Sequence, residues 1–239
     1  MPAGAHAAPA GRWPKHDETP ISPGLRLRGP ASGRPGTEHF PERRRTGFDK
    51  ARACTFQISD QGTFNYGKVK LKDLNKDTYT QLPVIDRELR ISCESLTKVA
   101  LTVSDSNPGL VAFKEDMVFF GGRGKSWSPA RQYGLRNDAG RSIGSWALQL
   151  VPGFKVDQQD TQSIYSGDGG KSWNPSVGNF FHDDGSLETW SMPGPREPAF
   201  GREFVGTVRI QVALDRSAQL GVATEVPFTG GAVMTLVYL

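Results

Sequence analysis

The sequence has few of the residues and runs on which membrane spans, metal sites and thiol chemistry depend. Only two of its 239 residues are cysteine and four are histidine, and a single histidine, His182, follows residue 53. No apolar run approaches the ~18 residues of a membrane-spanning helix. The first residues lack the apolar stretch of about 7–15 residues that a secretory signal carries. No stretch after residue 53 has helical periodicity, so we expect a β protein with no membrane span.

Charge and proline content divide the chain near residue 53. Residues 1–53 contain 10 Lys/Arg, 5 Asp/Glu and 8 of the 17 prolines, whereas the remainder is nearly neutral. A segment of this composition buries too little apolar surface to offset its ordering entropy. We therefore predict that 1–52 is a basic segment that is either disordered or misassigned, with the natural N-terminus elsewhere. The single folded domain is predicted to be 53–239.

The basic character of the first segment raises the question of nucleic-acid binding. Its one dense cluster is Arg43-Arg44-Arg45, and no aromatic residues are interleaved with it. Because the body of the protein is neutral as well, we expect no nucleic-acid partner.

Short alternating runs separated by turn residues predict an all-β fold. The clearest is 204–214, in which Phe204, Val208 and Leu214 fall on the same, inward face. Such alternation is typical of an antiparallel sheet with one solvated side, in a sandwich or a barrel. We predict a surface loop over 190–202, which contains three prolines. The predicted strands are 54–58, 63–69, 84–93, 99–104, 143–151, 162–166, 204–214 and 232–239.

The last strand is the most informative of these. Met234, Leu236 and Tyr238 alternate with Val233, Thr235 and Val237 up to the end of the chain. Apolar or β-branched residues on both faces predict a strand that is covered on both sides. Most domains leave their last residues loose. A last strand this apolar therefore indicates an end that is docked and that something recognises.

The two cysteines lie on predicted strands. Cys54 opens the first run and Cys93 closes another, 39 positions later, as an inter-strand disulfide requires. Such a bridge implies an oxidising compartment. The alternative is two unrelated buried thiols, since free cysteine is among the most buried residue types.

Residues 166–173, Ser-Gly-Asp-Gly-Gly-Lys-Ser-Trp, match the Asp-box pattern at every specified position. Asp168 can accept backbone N–H bonds across the turn, and the glycines permit positive φ. The motif resembles those of sialidases and related propellers, where it is a structural hairpin away from the catalytic centre. A partial echo occurs at 124–129. We predict a structural hairpin rather than a sugar site, formed by Ser166, Asp168, Gly170, Ser172 and Trp173.

Catalytic and metal sites are difficult to assemble. A metal site would rest on His182, Asp183 and Asp184, whose side chains diverge along an extended backbone. A polar loop is the simpler interpretation. We therefore expect no catalytic residues, no metal and no cofactor, although paired carboxylates can come together only in the fold.

Nine short motifs follow one another in a specific order. They are 53–55, 62–67, 71–74, 89–93, 100–105, 133–135, 143–150, 169–173 and 234–239. This order resembles a family of bacterial fimbrial-type proteins of unknown function (domain of unknown function 1120) encoded beside chaperone-usher genes. The two cysteines and the tyrosine next to last resemble pilin subunits more distantly.

The resemblance implies an immunoglobulin-like sandwich that lacks a strand. A periplasmic chaperone lends the missing strand, and a fimbrial subunit later supplies it by strand addition. The protein would then be a non-enzymatic, exported fimbrial-type subunit or adhesin-like protein of the periplasm or cell surface, with a host or surface glycan as a further partner. The alternative is an Asp-box protein that binds carbohydrate or hydrolyses glycosides. The implied donor-strand and chaperone contacts are Val233, Met234, Thr235, Leu236, Val237, Tyr238 and Leu239.

Two features depart from the family. Residues 42–52 have no alternating apolar face, where a donor segment is expected, and no signal segment precedes them. The glycine expected about fourteen residues from the end of a pilin is also missing, since Glu225 and Val226 lie there.

Overall fold

A computed structural model describes residues 53–112, 117–121, 131–221 and 224–239, together with the backbone of 24–28. These residues form fifteen strands, one short helix and two 3-10 turns. The helix α1 is Ser217–Leu220, and the 3-10 turns are Ser59–Gly62 and Leu71–Asp73. The strands are β1 Gly24–Arg28, β2 Cys54–Ile58, β3 Thr63–Asn65, β4 Thr80–Gln81, β5 Ile85–Thr97, β6 Val99–Asp105, β7 Tyr133–Arg136, β8 Ser142–Leu150, β9 Lys155–Val156, β10 Gln159–Asp160, β11 Gln162–Ser166, β12 Asn174–Pro175, β13 Leu187–Ser191, β14 Gly201–Leu214 and β15 Thr229–Tyr238.

The strands form a sandwich-like, mostly antiparallel architecture, so the predicted all-β class is confirmed. The main hydrogen-bonded path runs β10-β9-β14-β8-β7-β15-β6-β13-β11-β12. The long strand β14 also pairs with β5 from Gly201 to Ile210, and β5 pairs with β2. Each described pairing is antiparallel except that of β1 with β15.

Aromatic rings fill the centre of the core. The Trp190 and Phe154 rings stack with their centroids 4.1 Å apart, and Phe204 packs against Trp190 at 5.6 Å. A second stack joins Tyr133 and Trp146 at 4.5 Å. All five side chains are buried. Because such rings bury about 150–250 Å² each, these stacks contribute much of the hydrophobic stabilisation.

The inward face predicted for β14 is confirmed, but its other face is not solvated throughout. Ala213 is fully buried and Gln211 is 7% exposed. Ala213 belongs to a smaller apolar cluster with Met117, Phe119 and Phe180. The segment 117–121 covers this end of β14, which explains why the strand is buried on both faces there.

The predicted loop over 190–202 is wrong at both ends. Trp190 belongs to β13 and is fully buried, and Gly201 already belongs to β14. The three prolines lie between these strands. Because proline cannot donate to a β ladder, β13 ends before them and β14 begins after them. The predicted strand 63–69 is also too long, since β3 ends at Asn65.

Strand β1 lies inside the segment 1–52, for which no regular structure was predicted. The sequence of β1, Gly-Leu-Arg-Leu-Arg, alternates apolar and basic residues over a length suited to one short strand. The open edge of β15 supplies the backbone partners that such a strand needs. The Arg43–Arg45 cluster and the partial motif at 124–129 lie outside the described residues.

Among the described residues, no helix is long and apolar enough to cross a membrane.

Candidate functional site

The C-terminal strand β15 has partners on both of its edges near its beginning. One edge pairs with β7 at Thr229 and Gly230 and then with β6 from Ala232 to Tyr238. The other edge pairs with β1 in a parallel register, from Thr229 opposite Gly24 to Val233 opposite Arg28. The chain therefore ends within its own sheet, as predicted.

Strand β1 fills a gap that is one strand wide. Its second edge pairs antiparallel with β3, with Gly24 opposite Asn65 and Arg26 opposite Thr63. Among the described strands, β1 alone connects β3 to β15. Removal of β1 would leave β3 without a described partner and one edge of β15 unpaired, and an unpaired sheet edge readily accepts another strand.

The edge of β15 that faces β1 is longer than β1 itself. Beyond Val233, no described strand pairs with this edge, while β15 continues to Tyr238. The hydroxyl of Tyr238 accepts a hydrogen bond from the backbone N–H of Cys54 at 3.0 Å. About half of β15 therefore presents backbone groups to an incoming strand.

The two faces of β15 differ in burial, which corrects the predicted cover on both sides. Met234 is fully buried in the core, whereas Val233 on the other face is 36% exposed. Leu236 packs against the core and is partly buried, and Leu239 is 37% exposed. The face of Met234 packs on the core as far as Leu236, and Tyr238 at its end is exposed, whereas the outer face of Val233 is less covered. Thr235 and Val237 lie on this half-buried outer face.

Cys54 and Cys93 form a disulfide, which confirms that prediction and rules out two free thiols. They stand directly opposite each other at one end of the β2–β5 pair, with their Cα atoms 4.0 Å apart. Because Cys54 also donates its N–H to Tyr238, the disulfide holds this strand pair beside the end of β15.

The Asp-box residues connect β11 to β12. Both carboxylate oxygens of Asp168 are used within the turn. Oδ1 accepts from the Ser166 hydroxyl at 2.6 Å and from the Ser172 N–H at 3.0 Å, and Oδ2 accepts from the Ser172 hydroxyl at 2.6 Å. These serine hydroxyls, with backbone N–H groups, hold the pKa of Asp168 well below its usual range. An acid that is ionised and fully engaged in its own loop is suited to fixing a turn.

The hairpin of the Asp-box lies next to the end of the chain. A β-carbon placed on Gly170 would lie 3.5 Å from the Trp173 ring and 3.8 Å from Cδ2 of Leu239. The left-handed φ of +88° at Gly170 requires glycine on conformational grounds as well. Trp173 is half-buried. The hairpin thus lies close to Leu239, the residue that follows β15.

A buried acidic group near the interior was not predicted from the sequence. Glu188 is 1% exposed, and its Oε1 accepts from the Ser176 hydroxyl at 3.2 Å. Its Oε2 is buried without a hydrogen-bond partner among the described residues. Burial raises the pKa of Glu188 to about 8, so the side chain is mostly protonated at pH 7.

The residues considered for a metal site hold neighbouring loops together instead. His182 Nε2 accepts from Arg131 Nε at 2.9 Å, and Asp183 Oδ1 accepts from the N–H of Asp105 at 2.9 Å. Asp184 Oδ1 accepts from a backbone N–H at 3.0 Å. Burial lowers the pKa of His182. Over the described part of the chain, no group of three or more His, Cys, Asp or Glu side chains is placed to bind a metal ion.

Comparison with known proteins agrees with the resemblance seen in the motifs. Residues 44–147 match the model of a family described as Protein of unknown function (DUF1120). A relative, described as Uncharacterized protein YhcF of Escherichia coli (strain K12), is 24% identical over 208 residues, covering 80% of this chain and 87% of the relative. No solved structure matches the chain. The matched segment contains both cysteines, β3 and β6.

Proposed function

We propose that the protein is a non-enzymatic, exported fimbrial-type subunit or adhesin-like protein whose sheet is completed by strand addition along β15. The observation that carries this proposal is the gap between β3 and β15, one strand wide and filled by the five residues of β1. A segment remote in sequence thus pairs with this edge of β15 through its backbone, as a strand added in trans would.

The direction of pairing adds to this argument. Strand β1 runs parallel to β15, and it pairs over only the first half of that strand. A longer donor strand would therefore gain backbone hydrogen bonds along Met234 to Tyr238 that β1 does not make. We propose that a periplasmic chaperone or a fimbrial subunit supplies such a donor.

The disulfide supports the proposed export. Disulfides persist in the periplasm and outside the cell and are rare in the reducing cytosol. The bridge between Cys54 and Cys93 lies next to Tyr238, so it stabilises the region in which the donor would bind.

A non-enzymatic role is supported by the way the acidic side chains are used. Asp168 and Asp105 accept hydrogen bonds from their own loops, and Glu188 is buried. The alternative, a glycan-handling site at the Asp-box, is less favoured because Asp168 uses both oxygens within the turn.

Strand addition can be tested by opening the gap and refilling it in trans. The double variant Leu25→Pro/Leu27→Pro removes two N–H donors from β1, so β1 should leave the sheet. We expect a lower melting temperature than that of the wild type. A synthetic peptide with the sequence of residues 22–30 should raise the melting temperature again. At a concentration a hundred times its Kd, the peptide should stabilise the folded variant by ~2.7 kcal/mol.

Two controls make the outcome specific. Val177→Pro introduces a proline at an exposed residue between β12 and β13 and should leave the melting temperature unchanged. A peptide of the same composition in scrambled order should not stabilise the double variant. The proposal is contradicted if the double variant has the same melting temperature as the wild type, or if both peptides raise its melting temperature equally.

A further inference from the structure

The loop between β2 and β3 adopts an unusual backbone conformation. Asp60, Gln61 and Gly62 are consecutive residues with φ values of 52°, 53° and 67°. The left-handed region costs a residue other than glycine roughly 1–2 kcal/mol. Two such residues in succession persist only where surrounding contacts hold them, and they occur often at functional sites.

Two contacts hold this loop against β5. Asp60 Oδ2 forms an ion pair with Arg87 Nη2 at 2.9 Å. The Ser59 hydroxyl accepts from the backbone N–H of Glu88 at 3.0 Å. The loop is therefore positioned by the adjacent strand.

The loop forms one wall of an open cavity of about 520 Å³. This volume lies within the range of roughly 300–1,000 Å³ typical of small-molecule sites. Amide, hydroxyl and charged side chains line it on the outer face of β2 and β5, whereas the Phe56 side chain packs on the core from the other face. The lining includes Phe56, Gln57, Ser59, Gln61, Glu88 and Arg90.

The two amides have their hydrogen-bonding capacity available. Neither the Gln57 nor the Gln61 side chain forms a hydrogen bond with the described residues. Each amide offers two N–H donors and a carbonyl acceptor. Glu88 binds Arg90 through Oε1 at 3.3 Å, which leaves Oε2 to accept from a ligand.

The charges of the cavity are already paired. The guanidinium of Arg90 contacts Glu88 on one side and Glu203 on the other. An anionic ligand would compete with both carboxylates for this guanidinium. The arrangement therefore favours a neutral ligand rich in hydroxyl groups.

We propose that this cavity binds a neutral saccharide, with the side chains of Gln57, Gln61 and Glu88 hydrogen-bonding its hydroxyls. Planar amide and carboxylate groups suit adjacent hydroxyls, because each can donate to or accept from two of them. The inference goes beyond strand addition and does not depend on it, since the cavity is formed by β2, β5 and the loop between β2 and β3.

The test measures binding of the full chain to an immobilised array of neutral and acidic oligosaccharides. We expect retention on neutral glycans, with acidic glycans bound at least tenfold more weakly. Gln61→Gly should weaken binding at least tenfold, because it removes the amide from the cavity. It should not lower the melting temperature, since glycine adopts the left-handed conformation readily.

Gln158→Gly is the matched control. Gln158 is exposed, has a φ of 67° and lies between β9 and β10, away from the cavity. This variant should bind glycans like the wild type. The proposal is overturned if the wild type binds no neutral glycan, if acidic glycans bind more tightly, or if Gln61→Gly retains wild-type affinity. Because the strand peptide is not involved, failure here would leave strand addition unaffected.

Discussion

Glu188→Gln should stabilise the protein at neutral pH. Glu188 is 1% exposed, and burial raises the pKa of its carboxyl from the ordinary value of 4.5 to about 8. Glutamine is an uncharged analogue of the protonated carboxyl and can still accept from the Ser176 hydroxyl. The variant therefore removes the titration without opening a cavity.

The magnitude follows from proton linkage. Below pH 4.5 the Glu188 carboxyl is protonated in both the folded and the unfolded protein, so its titration does not lower the free energy of unfolding. Between pH 4.5 and 8 it ionises only in the unfolded chain, so stability falls as the pH rises. At ~1.4 kcal/mol per pKa unit, the loss is ~3 kcal/mol at pH 7 and approaches ~5 kcal/mol above pH 8.

Urea denaturation of the wild type and the variant at half-unit steps from pH 4.5 to 9 measures this difference. The difference in the free energy of unfolding isolates Glu188, because other titrating groups are common to both proteins. Glu94→Gln, at an exposed glutamate of β5, is the matched control and should leave the profile unchanged. A difference between wild type and Glu188→Gln that stays constant over this range would show that Glu188 is ionised in the folded state, and would refute the reasoning.

Three further variants test the remaining structural arguments. Replacing Cys54 and Cys93 with serine opens a loop of 39 residues. In urea titrations without reductant, the free energy of unfolding should fall by ~4 kcal/mol. An unchanged midpoint would contradict the loop-closure argument. Asp168→Ala should lower the melting temperature through the lost turn hydrogen bonds and leave the glycan affinity of the folded protein unaltered. Gly206→Ala should destabilise by ~1–3 kcal/mol by calorimetry, because its β-carbon would overlap the Phe154 ring.

Periodicity predicted the long strands well because their environment repeats every second residue. The inward face of β14 follows from alternation alone. The spacing of the two cysteines allowed both a bridge and two buried thiols, and the pairing of β2 with β5 decides for the bridge. Strands β7 and β13 were missed because every residue of β13 and nearly all of β7 are buried, which removes the alternation that marks a strand.

The candidate sites were less predictable for a different reason. Strand β1 lies in a proline-rich basic segment, and its five residues find their partners in β15 and β3, which are distant in sequence. The left-handed loop at Asp60 and Gln61 carries no sequence signal, since neither residue is glycine. The burial of Glu188 likewise depends on strands remote in sequence.

The pairing of β1 with β15 has a consequence for the order of folding. It joins the first described strand to the last, so this pairing forms only after β15 has been synthesised. Parallel contacts between such distant segments form slowly, because the chain must first lose the entropy of a large loop. During that interval the edges of β3 and β15 stay open to other chains. A partner strand that binds during this interval would compete with β1 through its rate of association as well as through its affinity.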